Sequence, residues 1–255
     1  MHGYRAGVSY GESPPPAALR TEVECVWTAG VHAGAPMQAQ DVLPDGCMDL
    51  VWTGDELVVA GPDTHPHHVR REPGVLSAGL RFAPGRLPAL LDVPAAVVRD
   101  QRVPLRELHP GLARRAIARL EAGAAPVSVL AEVAQALPGV PAEPALRAVA
   151  AQLGAGAAVA ATAERLGWTD RSLHRRCLAA FGYGPAVLRR VLRFRRAAAL
   201  LYAGVPIAEA AVRAGYADQP HLSREVRALA GVAPSQLASG ANRSTPLPSG
   251  SSNTA

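Results

Sequence analysis

Lysine is absent from this chain of 255 residues: all 26 basic side chains are arginine. Together with the abundance of alanine, glycine and proline, that bias is read as GC-rich coding and carries no functional information. Cysteine is scarce, with Cys25, Cys47 and Cys177 the only three. Three scattered thiols without a signal peptide exclude a disulfide scaffold and supply no tetrahedral Cys/His framework for zinc, so free buried thiols in a reducing compartment are expected. Long apolar runs are missing too. Nothing approaches the ~20 residues that a bilayer-spanning helix requires, which points to a cytoplasmic protein. No phosphate loop and no nucleophile beside a plausible base occur, so the sequence suggests neither an enzyme nor a cofactor.

A repeat stands out among what is present. Ala163-Glu164-Arg165-Leu166-Gly167-Trp168-Thr169-Asp170, followed by Leu173 and Arg175, is echoed 48 residues later by Ala211-Val212-Arg213-Ala214-Gly215-Tyr216-Ala217-Asp218, followed by Leu222 and Arg224. Each copy reads as two short helices around a tight turn. Val159, Ala163 and Leu166, or Ile207, Ala210, Ala211 and Ala214, recur at helical spacing ahead of a glycine suited to a left-handed helix end. Thr169 is a good N-cap, with Asp170 in the first turn. Leu173 and Cys177, like Leu222 and Val226, are spaced to face inward, leaving a polar and basic outer face on each second helix. Between the copies, residues 186–203 predict a long helix with Val187, Leu188, Val191, Phe194, Ala198 and Leu201 in the core.

Two helix-turn-helix units in register, splinted by an arginine-rich helix, form the arrangement that enters DNA major grooves. Residues 156–238 resemble the tandem helix-turn-helix domain of AraC/XylS-type transcription regulators. The motifs carrying the likeness are Arg193-x-x-x-Ala197-x-x-Leu200-Leu201, Ile207-Ala208-Glu209-Ala210-Ala211, Ala214-Gly215-Tyr216-Ala217-Asp218-Gln219, Leu222-Ser223-Arg224 and Gly231-Val232-Ala233-Pro234. Cys177, Leu222 and Val226 replace the phenylalanines usual in the family, and Ala217 replaces a serine cap. A missing cap should weaken the second recognition helix by ~1 kcal/mol.

Charge is divided unevenly. Residues 150–238 hold 12 arginines against 5 acids, whereas the remainder holds 14 against 16. Such a basic patch is the footprint of phosphate contacts. Two recognition helices on one rod are expected to read successive major-groove segments about 34 Å apart. Arg171, Arg175 and Arg224 are candidates for guanine, and Gln219 for adenine. Ser172, His174, His221 and Ser223 are suited to bases or phosphates, and Arg176, Arg189, Arg190 and Arg196 to phosphates.

The first half changes texture. Runs at residues 22–27, 47–52, 56–60 and 75–82 are short and β-rich, with turns at Pro44-Asp45-Gly46 and Gly54-Asp55. They predict an antiparallel β-barrel or sandwich over residues 18–108, followed after Pro84-Gly85 by a helix bearing Leu87, Leu90 and Leu91. The whole chain is thus an α+β protein. Leu43-Pro44-Asp45-Gly46-Cys47-Met48-Asp49-Leu50-Val51-Trp52, Val59-Ala60-Gly61-Pro62-Asp63-Thr64 and Gly79-Leu80-Arg81-Phe82-Ala83-Pro84-Gly85 resemble an N-terminal domain of unassigned function that is fused to this DNA-binding module in many bacterial regulators. The resemblance implies a cupin-like fold and an effector-sensing or dimerising role.

Trp27, Asp45, Cys47, Asp49, Trp52 and His65 are the candidates for an effector pocket. Each has a plainer alternative: core packing for the tryptophans, turn capping for the aspartates, and a solvated His-Pro-His-His turn for residues 65–68. Those histidines lack the spacing of a metal cupin, so no metal is expected. Residues 109–153 predict two or three helices, with Leu112, Ala116, Ile117, Leu120, Val129, Leu130, Val133, Leu137, Leu146, Val149 and Leu153 inward and prolines 126, 138, 141 and 144 between them. They form either a dimer interface or a spacer. Residues 1–17 and 239–255 read as flexible tails.

The expected protein is a regulator that binds double-stranded promoter DNA in the nucleoid, under the control of a small effector at its N-terminal domain. It would contact RNA polymerase if it activates, and pair as a homodimer if the N-terminal half dimerises. The alternatives are a constitutive DNA binder whose β domain only dimerises, and an N-terminal enzyme tethered to DNA.

Overall fold

Alternation along the strands sets the N-terminal architecture, as a computed structural model describing residues 8–139 and 143–239 makes visible. The strands are β1 (Val8–Ser13), β2 (Val23–Val31), β3 (Gln38–Val42), β4 (Met48–Trp52), β5 (Leu57–Ala60), β6 (His67–Arg71), β7 (Leu76–Phe82) and β8 (Arg102–Pro104). Six of them form one antiparallel sheet in the order β1-β2-β7-β4-β5-β8. β3 and β6 make a separate antiparallel ribbon.

Side chains on successive residues of a strand point to opposite faces. Leu50, Leu57, Val59, Ala78, Leu80 and Phe82 therefore share one face of the main sheet, and they are buried in a single core with residues of two helices from the segment 109–153. Trp27, Asp49, Val51, Val58, Ser77 and Arg81 share the other face, which looks into a cavity walled on its far side by β3 and β6. Gly79 of β7 makes room there, because a Cβ at this position would come within 2.3 Å of the Trp27 indole.

Three segments differ from expectation. Residues 8–13 lie in the stretch read as a flexible tail, yet they form β1, which pairs with β2 along its length. The ribbon strands β3 and β6 are not among the expected strands, and β6 overlaps the expected His-Pro-His-His turn, because Gln38–Val42 and His67–Arg71 carry too little apolar alternation to announce a strand. The tail expected from residue 239 onward lies, from residue 240, outside the described residues.

The helices are α1 (Leu87–Leu91), α2 (Leu105–Leu108), α3 (Pro110–Glu121), α4 (Pro126–Ala136), α5 (Pro144–Gly154), α6 (Val159–Arg165), α7 (Asp170–Phe181), α8 (Pro185–Tyr202), α9 (Ile207–Ala214), α10 (Gln219–Ala230) and α11 (Pro234–Ala238). Proline opens α3, α4, α5, α8 and α11, where its fixed φ suits the first helical turn and its missing N–H costs nothing. Prolines 126 and 144 thus start helices rather than merely separating them, while Pro141 lies outside the described residues.

The segment 109–153 is not a layer of its own. Ala113, Ala116, Val129, Leu130 and Val133 of α3 and α4 complete the N-terminal core, whereas Val149 and Leu153 of α5 join the first helix-turn-helix core. Its apolar faces are used within the chain. The shared rod is α8: Leu188, Val191 and Leu192 pack with α6 and α7, and Phe194, Ala197, Ala198 and Leu201 pack with α9, α10 and α11. Small residues at the α8–α9 contact, Ala197 and Ala198 against Ala210, Ala211 and Ala214, let the two helices approach closely. Val187, expected in this core, is 37% exposed. Among the described residues no helix is long and apolar enough to cross a membrane.

Candidate nucleic-acid interface and N-terminal cavity

Each recognition helix begins with a side-chain cap. At α7 the Ser172 amide donates to Thr169 Oγ1 over 3.2 Å, and Asp170 stands in the first turn. At α10 the His221 amide donates to Asp218 Oδ1 over 2.6 Å. The cap expected to be missing because Ala217 replaces serine is therefore supplied one position later, and Ala217 is an exposed turn residue. Gly167 and Gly215 hold the left-handed turns at φ +64° and +80°.

Below the caps, Leu173, Cys177, Leu222 and Val226 are fully buried. The helical period then forces their neighbours outward. Arg171, His174 and Arg175 are exposed on α7, with Ser172 partly so, and Gln219 and Arg224 are exposed on α10 beside the half-exposed His221 and Ser223. His221 is steadied edge-on against Tyr216, with ring centroids 5.2 Å apart. Arg227, one turn beyond Ser223 and Arg224, is exposed on the same helix and extends the face. The sequence reading stopped at residue 224 and missed it, although the i, i+3 spacing announces it. Among the described residues no carboxylate lies within 4 Å of Arg171, Arg175, Arg224 or Arg227.

The arginines expected to hold phosphate are placed differently. Arg190 Nε donates to Glu225 Oε2 over 2.8 Å, and Arg193 lies over the Tyr216 ring at 4.4 Å, so α8 is pinned to α10. Arg189 donates to the Gly156 carbonyl over 3.1 Å. Arg176 pairs with Glu143 and stacks on Trp168 at 4.4 Å. Of the four, Arg196 alone has no recorded partner among the described residues. Arg189 and Arg190 of α8 and Arg176 of α7 are each half-buried beside an acceptor, which offsets the cost of desolvating their charge.

The N-terminal domain packs on the C-terminal end of α7 and on α8. Leu43 is buried in the second helix-turn-helix core. Arg99 Nη1 donates to the Gly182 carbonyl over 3.2 Å. A β-bulge between Val23 and Cys25 leaves Glu24 without a cross-strand partner and turns it outward. There it accepts from Arg195 Nη2 of α8 over 2.7 Å, while Arg195 Nη1 lies 3.5 Å from Cys47 Sγ. Burial opposes the Arg195 charge, but its acidic neighbours outweigh that and hold it more firmly protonated than usual.

The cavity has a volume of about 480 Å³. Trp27 and Asp49 line it, joined by a hydrogen bond of 2.7 Å from Trp27 Nε1 to Asp49 Oδ2. Burial raises the Asp49 carboxyl to about 6, against the opposing pull of Arg81. The other four effector candidates lie away from it. Asp45 caps its turn, accepting from the Cys47 amide over 2.8 Å. Cys47 is buried beneath the domain contact. Trp52 packs on the helix-covered face of the sheet. His65 sits 3.4 Å from Asp100.

In their place the lining includes Tyr10, Gln40, His67, Arg71, Arg81 and Arg102. Arg81 is nearly fully buried and meets Asp45, Asp49 and Glu12 at 3.4–3.5 Å. Arg102 makes two hydrogen bonds, of 2.9 and 2.7 Å, to Asp63. One signal for Arg81 was available, since a charge alternating with Leu80 and Phe82 in a β run must point into the domain or its pocket. Among the described residues no group of three or more His, Cys, Asp or Glu side chains is placed to hold a metal ion.

Comparisons with known proteins cover both halves. Residues 162–239 match a family described as a helix-turn-helix domain, and residues 11–104 match a domain of unknown function (DUF6597). No curated protein matches the chain. Among solved structures, the C-terminal domain of AraT, a response regulator from Geobacillus stearothermophilus, is similar at 24% identity, over 44% of this chain and 94% of that one, with a TM-score of 0.36. ToxT from Vibrio cholerae is similar at 11% identity over 91% of this chain and 98% of that one, with a TM-score of 0.46. ToxT from Vibrio cholerae O395 bound to (E)-4-(8-methylnaphthalen-1-yl)but-3-enoic acid is similar at 10% identity over 91% and 98%, with a TM-score of 0.47. With two capped helices on one rod, the C-terminal part of this chain matches a helix-turn-helix domain, joined to an N-terminal antiparallel β domain that matches a domain of unknown function.

Proposed function

We propose that this regulator reads promoter DNA with α7 and α10 in adjacent major-groove segments, and that a small effector in the N-terminal cavity adjusts the grip. One observation carries the first half: Arg171, Arg175, Arg224 and Arg227, exposed and without carboxylate partners among the described residues, lie together on the outward faces of α7 and α10. The arginines of the rod are instead largely taken up by internal contacts. Exposed guanidinium groups are free to bind guanine edges or phosphates without first breaking an ion pair.

Effector control is supported by a continuous polar path. Arg81 on the cavity wall meets Asp45, Asp45 holds the Cys47 amide, and Cys47 and Glu24 meet Arg195 on α8. An occupant that displaces Arg81 changes the charge felt at the contact between the N-terminal domain and the rod. The two capped helices then shift together or separately, because α8 contributes to both of their cores.

Arg175→Ala should weaken specific binding by ~1 to 3 kcal/mol. The operator would first be identified by sequencing genomic fragments retained by the full chain. Footprinting titrations of that operator measure the loss, and unchanged affinity for the Arg175 variant would remove α7 from the reading surface.

A further inference from the structure

The cavity contains a cation that the fold does not neutralise. Of the four arginines that line it, Arg70 is on the exposed face of β6, Arg81 is held by Asp45, Asp49 and Glu12, and Arg102 by Asp63. Arg71 has neither arrangement. Its Nε donates to the neutral Gln40 Oε1 over 2.9 Å, and its guanidinium lies 5.9 Å from the centroid of the Trp27 ring. Among the described residues no carboxylate lies within ion-pair distance of Arg71.

Strand alternation turns Arg71 inward, on the same face of β6 as Val69 and His67, and burial lowers its proton affinity below the ordinary arginine value. Buried charges in proteins are normally paired, because desolvation of a lone ion costs several kcal/mol. A guanidinium whose Nε is occupied still presents Nη donors, and a planar carboxylate fits such donors better than any neutral acceptor.

The rest of the wall narrows the choice. Val42, Val51, Val58, Val75 and the Trp27 indole, stacked on Tyr10 at 6.3 Å, make most of the lining apolar. Asp49, Asp55 and Glu72 also border the cavity and repel a ligand carrying more than one negative charge. A volume of about 480 Å³ suits a compact organic molecule.

We infer that the cavity binds a monocarboxylate with an apolar or aromatic body, its carboxylate paired with Arg71 and its body lying against Trp27 and the valine wall. This rests on the cavity being the effector site and adds the chemical class of its occupant.

The test uses three probes of nearly equal shape on the full chain: 4-phenylbutanoate, 4-phenylbutanamide and 4-phenylbutylamine, each titrated by calorimetry at neutral pH. The acid should bind at least about tenfold tighter than the amide, a difference of ~1.4 kcal/mol, and the amine should bind no better than the amide. Arg71→Met should abolish the preference, and Arg71→Lys, which keeps the charge, should retain part of it. Equal or tighter binding of amide or amine overturns the inference, as does a preference that survives in Arg71→Met or absence of acid binding at millimolar concentration. Operator affinity measured with and without 4-phenylbutanoate separates the two claims. Arg71-dependent binding without any change in operator affinity leaves the ligand class standing and removes effector control. A change in operator affinity on binding the amine keeps the effector site and removes the anionic class.

Discussion

Replacing Gly182 with alanine tests how tightly the N-terminal domain is seated on the recognition helix. Gly182 ends α7 at φ +80°, a region where an alanine costs ~1 to 2 kcal/mol. A Cβ there would also stand 2.5 Å from Pro62 Cγ and 3.3 Å from the Ala95 carbonyl oxygen, both in the N-terminal domain. Neither atom belongs to a flexible side-chain end, so overpacking adds ~1 to 3 kcal/mol. Gly204 provides the control, with φ +79° and nothing within 4 Å of the added atom. Gly204→Ala should therefore lose ~1 kcal/mol and Gly182→Ala ~3 kcal/mol. With a urea slope of roughly 2 to 3 kcal/mol per molar, the two midpoints should differ by just under ~1 M. If the domains undock to relieve the clash, the single transition of the parent splits into two. Identical midpoints with equal cooperativity would show that Pro62 and Ala95 do not press on the end of α7.

Two further outcomes follow from the caps and the cavity. Asp218→Ala should cost ~1 kcal/mol in denaturant unfolding by removing the cap of α10, while Ala217→Ser should change stability little, because that position no longer needs a cap; the reverse order of effects would refute the assignment. Asp49, raised by burial to about 6 from 3.8, favours the fold most when protonated, so its contribution is complete below about pH 4 and is lost as pH rises through about 6, a change of up to ~3 kcal/mol. Asp49→Asn should flatten that dependence, and the indole N–H resonance of Trp27 should titrate with a midpoint near 6 only in the parent. A Trp27 resonance that stays fixed between about pH 5 and 7 would place the Asp49 carboxyl back in its ordinary range.

The sequence determined this protein's helical half almost completely. Leu173, Cys177, Leu222 and Val226 recur at intervals that fit only one face of a helix, and Gly167 and Gly215 occupy positions that require a left-handed residue. Such information is local, carried within a turn or two of chain. The strong β runs were legible for the same reason, since β4, β5 and β7 alternate apolar residues over adjacent positions.

The tertiary structure decided matters that depend on partners far apart in the chain. Whether an arginine binds DNA or the protein itself cannot be read from its helix face alone. Arg190 and Arg175 look alike until Glu225, 35 residues on, is brought beside the first. The polar strands β3 and β6 are strands because they pair with each other, not because of their own composition. The cavity likewise exists only where that ribbon closes over the sheet, and it exchanges four of the six residues expected to line it for Arg71, Arg81, Arg102 and their neighbours. Glu24 shows the division most plainly: its sequence marks a strand, while the bulge that re-aims it toward Arg195, 171 residues away, arises from sheet register and domain packing together.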